Sequence, residues 1–289
     1  MDEKGMNIQW YPGHMTKTRR QIEADLKQVD AICEIVDARI PISSRNPDID
    51  AICGTKPRIV VLNRMDLADQ NATKQWVDYF RAQGIAALGT DCKSKRGISN
   101  FEPAVRSVLK EKIERNAARG MNKPLRIMIV GIPNVGKSTF INQISGRKGA
   151  KAENRPGVTR GKQWVTVNNS LLLLDTPGIL WPKFEDPKVG LMLAFTGAVK
   201  ENVIDTEELA YYLAELLSKR YPQTLMERYG VEADPEMPGY ELLEVLGRKR
   251  GFLLARGEIN TERMAKVLLD EYRNGKLGTL TFELPEEIV

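Results

Sequence analysis

The sequence holds a single histidine, His14, among 289 residues, so any step that needs an imidazole to handle a proton near neutral pH has one candidate. Cysteine is almost as scarce. Cys33, Cys53 and Cys92 are an odd number, widely spaced and without a C-x-x-C pair, which fits reduced thiols and excludes a cysteine zinc site. Long apolar runs are missing too. Stretches such as LLLL at 171–174 fall far short of the roughly 18 residues that a membrane-spanning helix needs. The opening MDEKGMNIQW begins acidic and has no apolar core, so neither a secretory nor a transit peptide is expected. A cytoplasmic setting with no membrane partner follows as the expectation. What remains is an ordinary globular composition, 42% hydrophobic and 28% charged, long enough for about two domains. The net charge of +5 fits a nucleic-acid partner but only weakly on a chain of this length.

Along the chain, residues 16–29 read as an amphipathic helix with Ile22, Leu26 and Val29 on one face. AICEIVDAR (31–39), RIVVLNRMD (58–66) and IAALGTDC (85–92) read as strands, with a helix from Thr73 to Gln83 between the last two. Phe101 to Arg119 reads as one basic helix closed by Gly120 and Pro124. LRIMIVG (125–131), a helix from Ser138 to Ser145, QWVTVNN and LLLLDTPG continue an alternating β/α series. Such alternation predicts an α/β fold with a mostly parallel sheet. Beyond about residue 183 the patterns LMLAFTGAV, TEELAYYLAELLSKRY, GYELLEVLGRKRG and TERMAKVLLDEYRNG are helical, with LGTLTFEL the only later strand candidate. The expected division is therefore residues 1–182 as the α/β domain and 183–289 as a smaller, mainly helical one.

GIPNVGKST (131–139) matches the phosphate-loop pattern G-x-x-x-x-G-K-[ST], between an apolar strand and a helix as the pattern requires. Gly131 and Gly136 let the backbone wrap a phosphate, and the helix presents its positive end to the anion. Asn134, Val135, Gly136, Lys137, Ser138 and Thr139 are the expected phosphate-binding residues. Lys137 reaches the β and γ phosphates in a catalytic role, and the Ser138 hydroxyl ligates Mg²⁺. DTPG (175–178) ends the LLLL strand, so Asp175 would hold Mg²⁺ and the Gly178 amide would face the γ-phosphate. RPGVTRG (155–161) offers Thr159 as a further Mg²⁺ ligand, on the weaker ground that many loops contain a threonine.

NRMD (63–66) suits a guanine. The Asp66 carboxylate can accept from N1–H and N2–H₂, a pair of donors that adenine lacks. Asn63 would tie this loop to the phosphate loop, Met65 lies within it, and the Arg64 stem would lie on the ring. The usual pattern is N-K-x-D, but a planar guanidinium can still stack. TDCK (90–93) looks like the loop whose backbone N–H, here from Cys92, caps guanine O6; four residues alone also fit an ordinary turn.

The order of these motifs is unusual. In ordinary GTPases of this type the phosphate loop comes first, whereas here the guanine loops precede it. With W-Y-P-G-H-M, NRMD, GIPNVGKST and DTPGILWPKFEDP, the chain resembles the circularly permuted P-loop GTPases, and within them a branch that acts in ribosome biogenesis. The resemblance covers nearly the whole chain. It implies a GTPase acting late in assembly of the bacterial large ribosomal subunit, bound to precursor rRNA and ribosomal proteins and stimulated by the particle; a monomer is the expectation for the chain itself. It points to His14 as the catalytic candidate, because Ile179 occupies the position where many GTPases carry a water-orienting glutamine. The residues alone leave His14 open to an RNA-phosphate contact or to no role. The resemblance also makes K⁺ an activating ion beside Asn134, which by itself reads equally as a turn residue. Candidate RNA-contacting groups are Lys17, Arg19 and Arg20; Lys110, Lys112, Arg115 and Arg119; and Arg248, Lys249 and Arg250. A GTP-dependent binding switch with negligible turnover and an ATP-using phosphotransferase are the rival readings; Asp66 argues against the second.

Overall fold

The computed structural model describes residues 20, 22–146, 163–178, 180, 181, 184, 186–199 and 204–288. Six strands form one sheet: β1 (Ala31–Asp37), β2 (Arg58–Asn63), β3 (Ala86–Gly89), β4 (Leu125–Val130), β5 (Gln163–Asn168) and β6 (Leu171–Asp175). Their order is β3-β2-β1-β4-β6-β5, and every neighbouring pair is parallel except β5 with β6. β1 is buried along its whole length and β2 along all but its first residue. Burial on both faces is what helix-covered parallel strands require, and it explains their nearly unbroken apolar runs. β5, at the sheet edge, exposes Gln163, Thr166 and Asn168 while burying Val165, the mixed pattern an edge strand tolerates.

Because β1, β2, β3, β4 and β6 run the same way, the loops that follow them all emerge at one edge of the sheet. The chain progresses outward from β1 to β3 on one side and from β4 on the other. Loops diverge at such a switch point and leave a crevice for a ligand.

Helices α1 (Ile49–Cys53), α2 (Gln70–Ala82), α3 (Phe101–Val108), α4 (Lys110–Ala118) and α5 (Lys137–Ser145) accompany the sheet. The Asp69 carboxylate accepts the Ala72 amide and so starts α2 ahead of the expected Thr73; Trp76 and Phe80 on its inner face are fully buried. The single helix expected over Phe101–Arg119 is two, meeting at Leu109, whose backbone leaves helical geometry while its side chain stays buried. On α5 the fully buried Phe140 meets Phe101 edge-on at 5.1 Å, which anchors the helix behind the phosphate loop.

The chain divides into two compact units. One runs from Glu185 to Leu280; the other comprises the described residues up to Phe184 together with the last residues, from Thr281. The first holds α6 (Pro187–Phe195), α7 (Thr206–Arg220), α8 (Pro222–Tyr229), α9 (Gly239–Lys249) and α10 (Thr261–Arg273). Asp186, Asp205 and Asn260 cap α6, α7 and α10 with their side chains, satisfying amides that a helix start leaves open. α8 has no counterpart in the sequence reading: Pro222 ends α7 and, at the first turn, starts the next helix. LGTLTFEL is not a strand. Its Phe282 amide donates to the Arg39 carbonyl at 2.8 Å, Gly278 and Leu284 close local backbone turns, and Thr281, Glu283 and Leu284 also bond through side chains. No helix among the described residues is long and apolar enough to cross a membrane.

One ionic hub holds the helical unit. The buried Glu271 carboxylate on α10 accepts from Arg228 Nε at 2.9 Å, from Arg250 Nη2 at 2.6 Å and from the Tyr229 hydroxyl at 2.7 Å. Burial alone would raise this carboxyl, but the two guanidinium groups and the phenol bring it down to about 2. Removing the charge leaves two arginines partly buried around a neutral amide, so Glu271→Gln should lower stability in urea by about 2–4 kcal/mol at pH 7. A depressed carboxyl stabilises the fold above its unfolded pKa and loses that contribution as pH falls towards the folded value. The gap between variant and parent should therefore close between about pH 5 and pH 2. Equal stabilities at pH 7 would contradict it.

Candidate nucleotide site

The phosphate loop leaves β4 and enters α5 through Gly136, whose φ of +96° is left-handed. Glycine is needed here twice over, since a Cβ would also lie 2.4 Å from Asn63 Nδ2. Asn134 takes the same left-handed region at φ +60°. Lys137 is buried, and its Nζ donates to the carbonyls of Gly131 at 3.0 Å and Ile132 at 2.8 Å. Burial pushes its ammonium down to about 8, against the pull of the Asp175 carboxylate. Ser138 and Thr139 follow on the first turn of α5, both half-buried.

Asp175 ends β6 beside this loop. Burial raises its carboxyl, Lys137 opposes the rise, and Oδ1 is buried with no hydrogen-bond partner among the described residues. The Thr176 hydroxyl donates to the Ile129 carbonyl at 2.7 Å, fixing the turn to β4. Gly178 lies flat on the phosphate loop: a Cβ there would stand 2.7 Å from Pro133 N and 3.0 Å from Lys137 Nζ. A buried carboxylate oxygen without a hydrogen-bond partner among the described residues, under the influence of Lys137, fits a hydrated Mg²⁺, which favours oxygen ligands and keeps several waters. The described residues contain no group of three or more His, Cys, Asp or Glu side chains suited to a metal, so phosphate and water would supply most of its shell.

The loop after β2 meets the phosphate loop directly. Asn63 Nδ2 donates to the Val135 carbonyl at 2.9 Å, while Oδ1 accepts from Thr90 Oγ1 at 3.1 Å and Cys92 Sγ at 3.2 Å. Burial pushes the Cys92 thiol up to about 12, so it remains a donor. Arg64, at φ +60°, sends Nη2 to the Asn134 carbonyl at 2.7 Å; its Nε stands 4.0 Å from the Asp37 carboxylate. Met65 packs partly buried against the Trp76–Phe80 cluster, and its amide donates to the Thr90 carbonyl at 3.1 Å. Asp66 stays partly open, 3.3 Å from the exposed Lys93 ammonium. Asp91 accepts the Lys93 amide at 2.7 Å and the Ser94 hydroxyl, which shapes the loop carrying the Cys92 amide.

Asn63, Arg64, Met65, Cys92, Asn134, Val135, Gly136, Lys137, Asp175 and Gly178 thus lie on loops from one edge of one sheet, with Asp66, Ser138 and Thr139 beside them. His14, Thr159 and Ile179 lie outside the described residues. Two participants were not singled out from sequence: the Cys92 thiol, as distinct from its amide, and Asp37. A buried strand that ends in adjacent opposite charges, D-A-R at 37–39, was the available signal for Asp37.

A family model described as a 50S ribosome-binding GTPase matches residues 126–226. The ribosome biogenesis GTPase A of Priestia megaterium is 49% identical over 98% of this chain and 98% of its own length. A GDP-bound YlqF structure superposes with a TM-score of 0.64 at 29% identity, covering 93% of this chain and all of that one. The GNP-bound YlqF of T. maritima gives 0.63 at 29% identity over 94% and 100%. Fold, phosphate loop and motif order together define a circularly permuted P-loop GTPase, an enzyme that hydrolyses GTP. The chain belongs to the ribosome biogenesis GTPase A family.

The depressed Lys137 ammonium gives a pH test. A phosphate bound beside the charged lysine would raise its pKa, so nucleotide affinity should be steady below about pH 7 and fall above it. Titrating GDP should show binding about fourfold weaker at pH 8.5 than at pH 7. A flat profile across that range would place the lysine titration elsewhere.

Proposed function

We propose that this GTPase drives a late step in assembly of the large (50S) ribosomal subunit. It binds a precursor through rRNA and ribosomal protein in its GTP form and leaves after hydrolysis to GDP and phosphate, acting as a cytoplasmic monomer. The observation that carries the reading is the Asn63–Val135 bond of 2.9 Å, which joins a loop suited to a purine edge to a loop suited to a triphosphate. The names of the relatives and the description of the matching family model support the ribosomal part.

In this reading Asp66 accepts from guanine N1–H and N2–H₂, the Cys92 amide caps O6, and the Arg64 stem covers the ring. Lys137 and the loop amides of Asn134, Val135, Gly136, Ser138 and Thr139 hold the phosphates. Ser138, Asp175 and Thr159 serve Mg²⁺, which neutralises charge on the transferring phosphoryl group. Gly178 senses the γ-phosphate, Asn134 accompanies K⁺, and His14 orients the attacking water. Asp66→Asn replaces an acceptor with a donor facing guanine N2. GTP should bind at least about a hundredfold more weakly and xanthosine triphosphate, which has an oxygen at that position, should gain. Unchanged preference would remove Asp66 from the base site.

Residues 183–289 supply most of the RNA-contacting surface. Of the candidate cations, Lys112 is engaged by Asp30 at 2.5 Å, Lys110 by Glu114, and Arg250 by Glu271 and the Tyr229 ring. Arg248 and Lys249, at the end of α9, are exposed, as are Leu253 at 58% and Leu254 at 47% just beyond them. They make an RNA-facing patch, as do the exposed Arg115 and Arg119 elsewhere, and binding through such groups falls steeply with added salt. Co-sedimentation with large subunits should retain the protein with a non-hydrolysable GTP analogue and release it with GDP. His14→Ala should stay bound in GTP for longer, with unaltered GTP affinity. Equal sedimentation in all nucleotide states would overturn the release step.

A further inference from the structure

The last residues of the chain are fastened to the loop that follows β1 and to the start of α2. Thr281 Oγ1 accepts the Asp69 amide at 3.0 Å and donates to the Ala38 carbonyl at 3.4 Å. Phe282 is fully buried, and its amide donates to the Arg39 carbonyl. The Glu283 carboxylate accepts the amides of Ile42 at 2.7 Å and Ser43 at 3.1 Å, and its backbone carbonyl accepts the Trp76 indole N–H at 2.8 Å. Residues 38–43 are therefore held by side chains and backbone from the far end of the polymer.

That loop begins at a buried ion pair. Asp37 accepts from Arg39 Nε at 2.9 Å, Nη2 at 2.8 Å and the Arg39 amide at 3.0 Å, and the Ser44 hydroxyl accepts the Asp37 amide at 2.9 Å. Burial opposes charge on Asp37, yet Arg39 and Arg64 hold its carboxyl below the usual range. The same carboxylate stands 4.0 Å from Arg64 Nε, whose Nη2 is on the phosphate loop at Asn134. A lysine would bring one compact ammonium at the end of a flexible stem, whereas the planar guanidinium turns Nη2 to Asn134 and Nε towards Asp37 from one rigid fork. Pinned at two points, the Arg64 stem loses rotamer freedom before any base arrives, so that loss is not charged to binding.

We infer that Thr281–Glu283 is a positioning element for the base slot: it fixes loop 38–43, that loop fixes the Asp37–Arg39 pair, and the pair aims Arg64. The inference rests on the reading that Arg64 walls the guanine. It acts on the part of the ligand that GDP and GTP share.

Glu283→Gln and Thr281→Val each weaken one fastening. Titration with fluorescent GDP and GTP analogues should show about fivefold weaker binding of both. The GTP-to-GDP ratio should not move, and kcat at saturating GTP should stay within about twofold of the parent. In an Arg64→Met background, itself weaker in binding, adding Glu283→Gln should cost nothing more, because the link it feeds is gone. Folded variants that bind like the parent, or that lose as much affinity with Arg64→Met as without it, would overturn the inference alone. Should Glu283→Gln fail to fold, Thr281→Val carries the same two comparisons. Arg64→Met binding both nucleotides as tightly as the parent would overturn the base-slot reading and the inference together.

Discussion

The carboxamide of Asn63 sits where loops from three strands converge, and both its polar atoms are used. Its nitrogen serves the phosphate loop and its oxygen takes a hydroxyl and a thiol from the loop after β3. A buried amide whose partners are removed costs about 1–3 kcal/mol for each group left alone, so the three loops are more stable together than apart. The same contact explains a requirement on the other side. Gly136 must lack a side chain because Asn63 Nδ2 occupies the space where one would go. Two motifs separated by more than seventy residues are thereby each a condition on the other.

The phosphate side is arranged around charges that the protein satisfies incompletely. Lys137 and Asp175 are both displaced towards their neutral forms by burial, and the lysine leans on backbone carbonyls while one carboxylate oxygen has no donor among the described residues. Buried opposite charges that are poorly compensated contribute little to folding stability. It does leave a cation and an anion desolvated and fixed in direction, ready for a polyphosphate and a hydrated divalent ion. If these two residues hold the ligand as proposed, its affinity and the stability of the unit are in opposition there.

Sequence carried the architecture well wherever one physical cause dominated. β1, β2 and β4 were readable because strands covered on both faces must be apolar throughout, and GIPNVGKST because a phosphate leaves few choices of residue. The readings faltered where competing causes were tertiary. Leu109 bends a helix whose periodicity runs on past it, since the core claims its side chain. LGTLTFEL has the composition of a strand, yet its polar groups find side chains, local turns and one loop carbonyl instead of a neighbouring strand. The loop position of Cys92 suggests a role for its amide; that its thiol reaches Asn63 depends on how two loops approach. Asp37 and Arg64 lie 27 positions apart, and nothing local in either segment announces the other.

The nucleotide unit is not finished when the chain leaves it after Phe184, because Phe282 and its neighbours complete it some hundred residues later. Topologically the helical unit is an insertion with two ends, whereas a domain added at a terminus has one. Shortening the gene from its 3′ end would therefore not release an intact nucleotide-binding body. It would uncover the Arg39 carbonyl, the Ile42 and Ser43 amides and the Trp76 indole, so the helical unit can be separated cleanly only by excision.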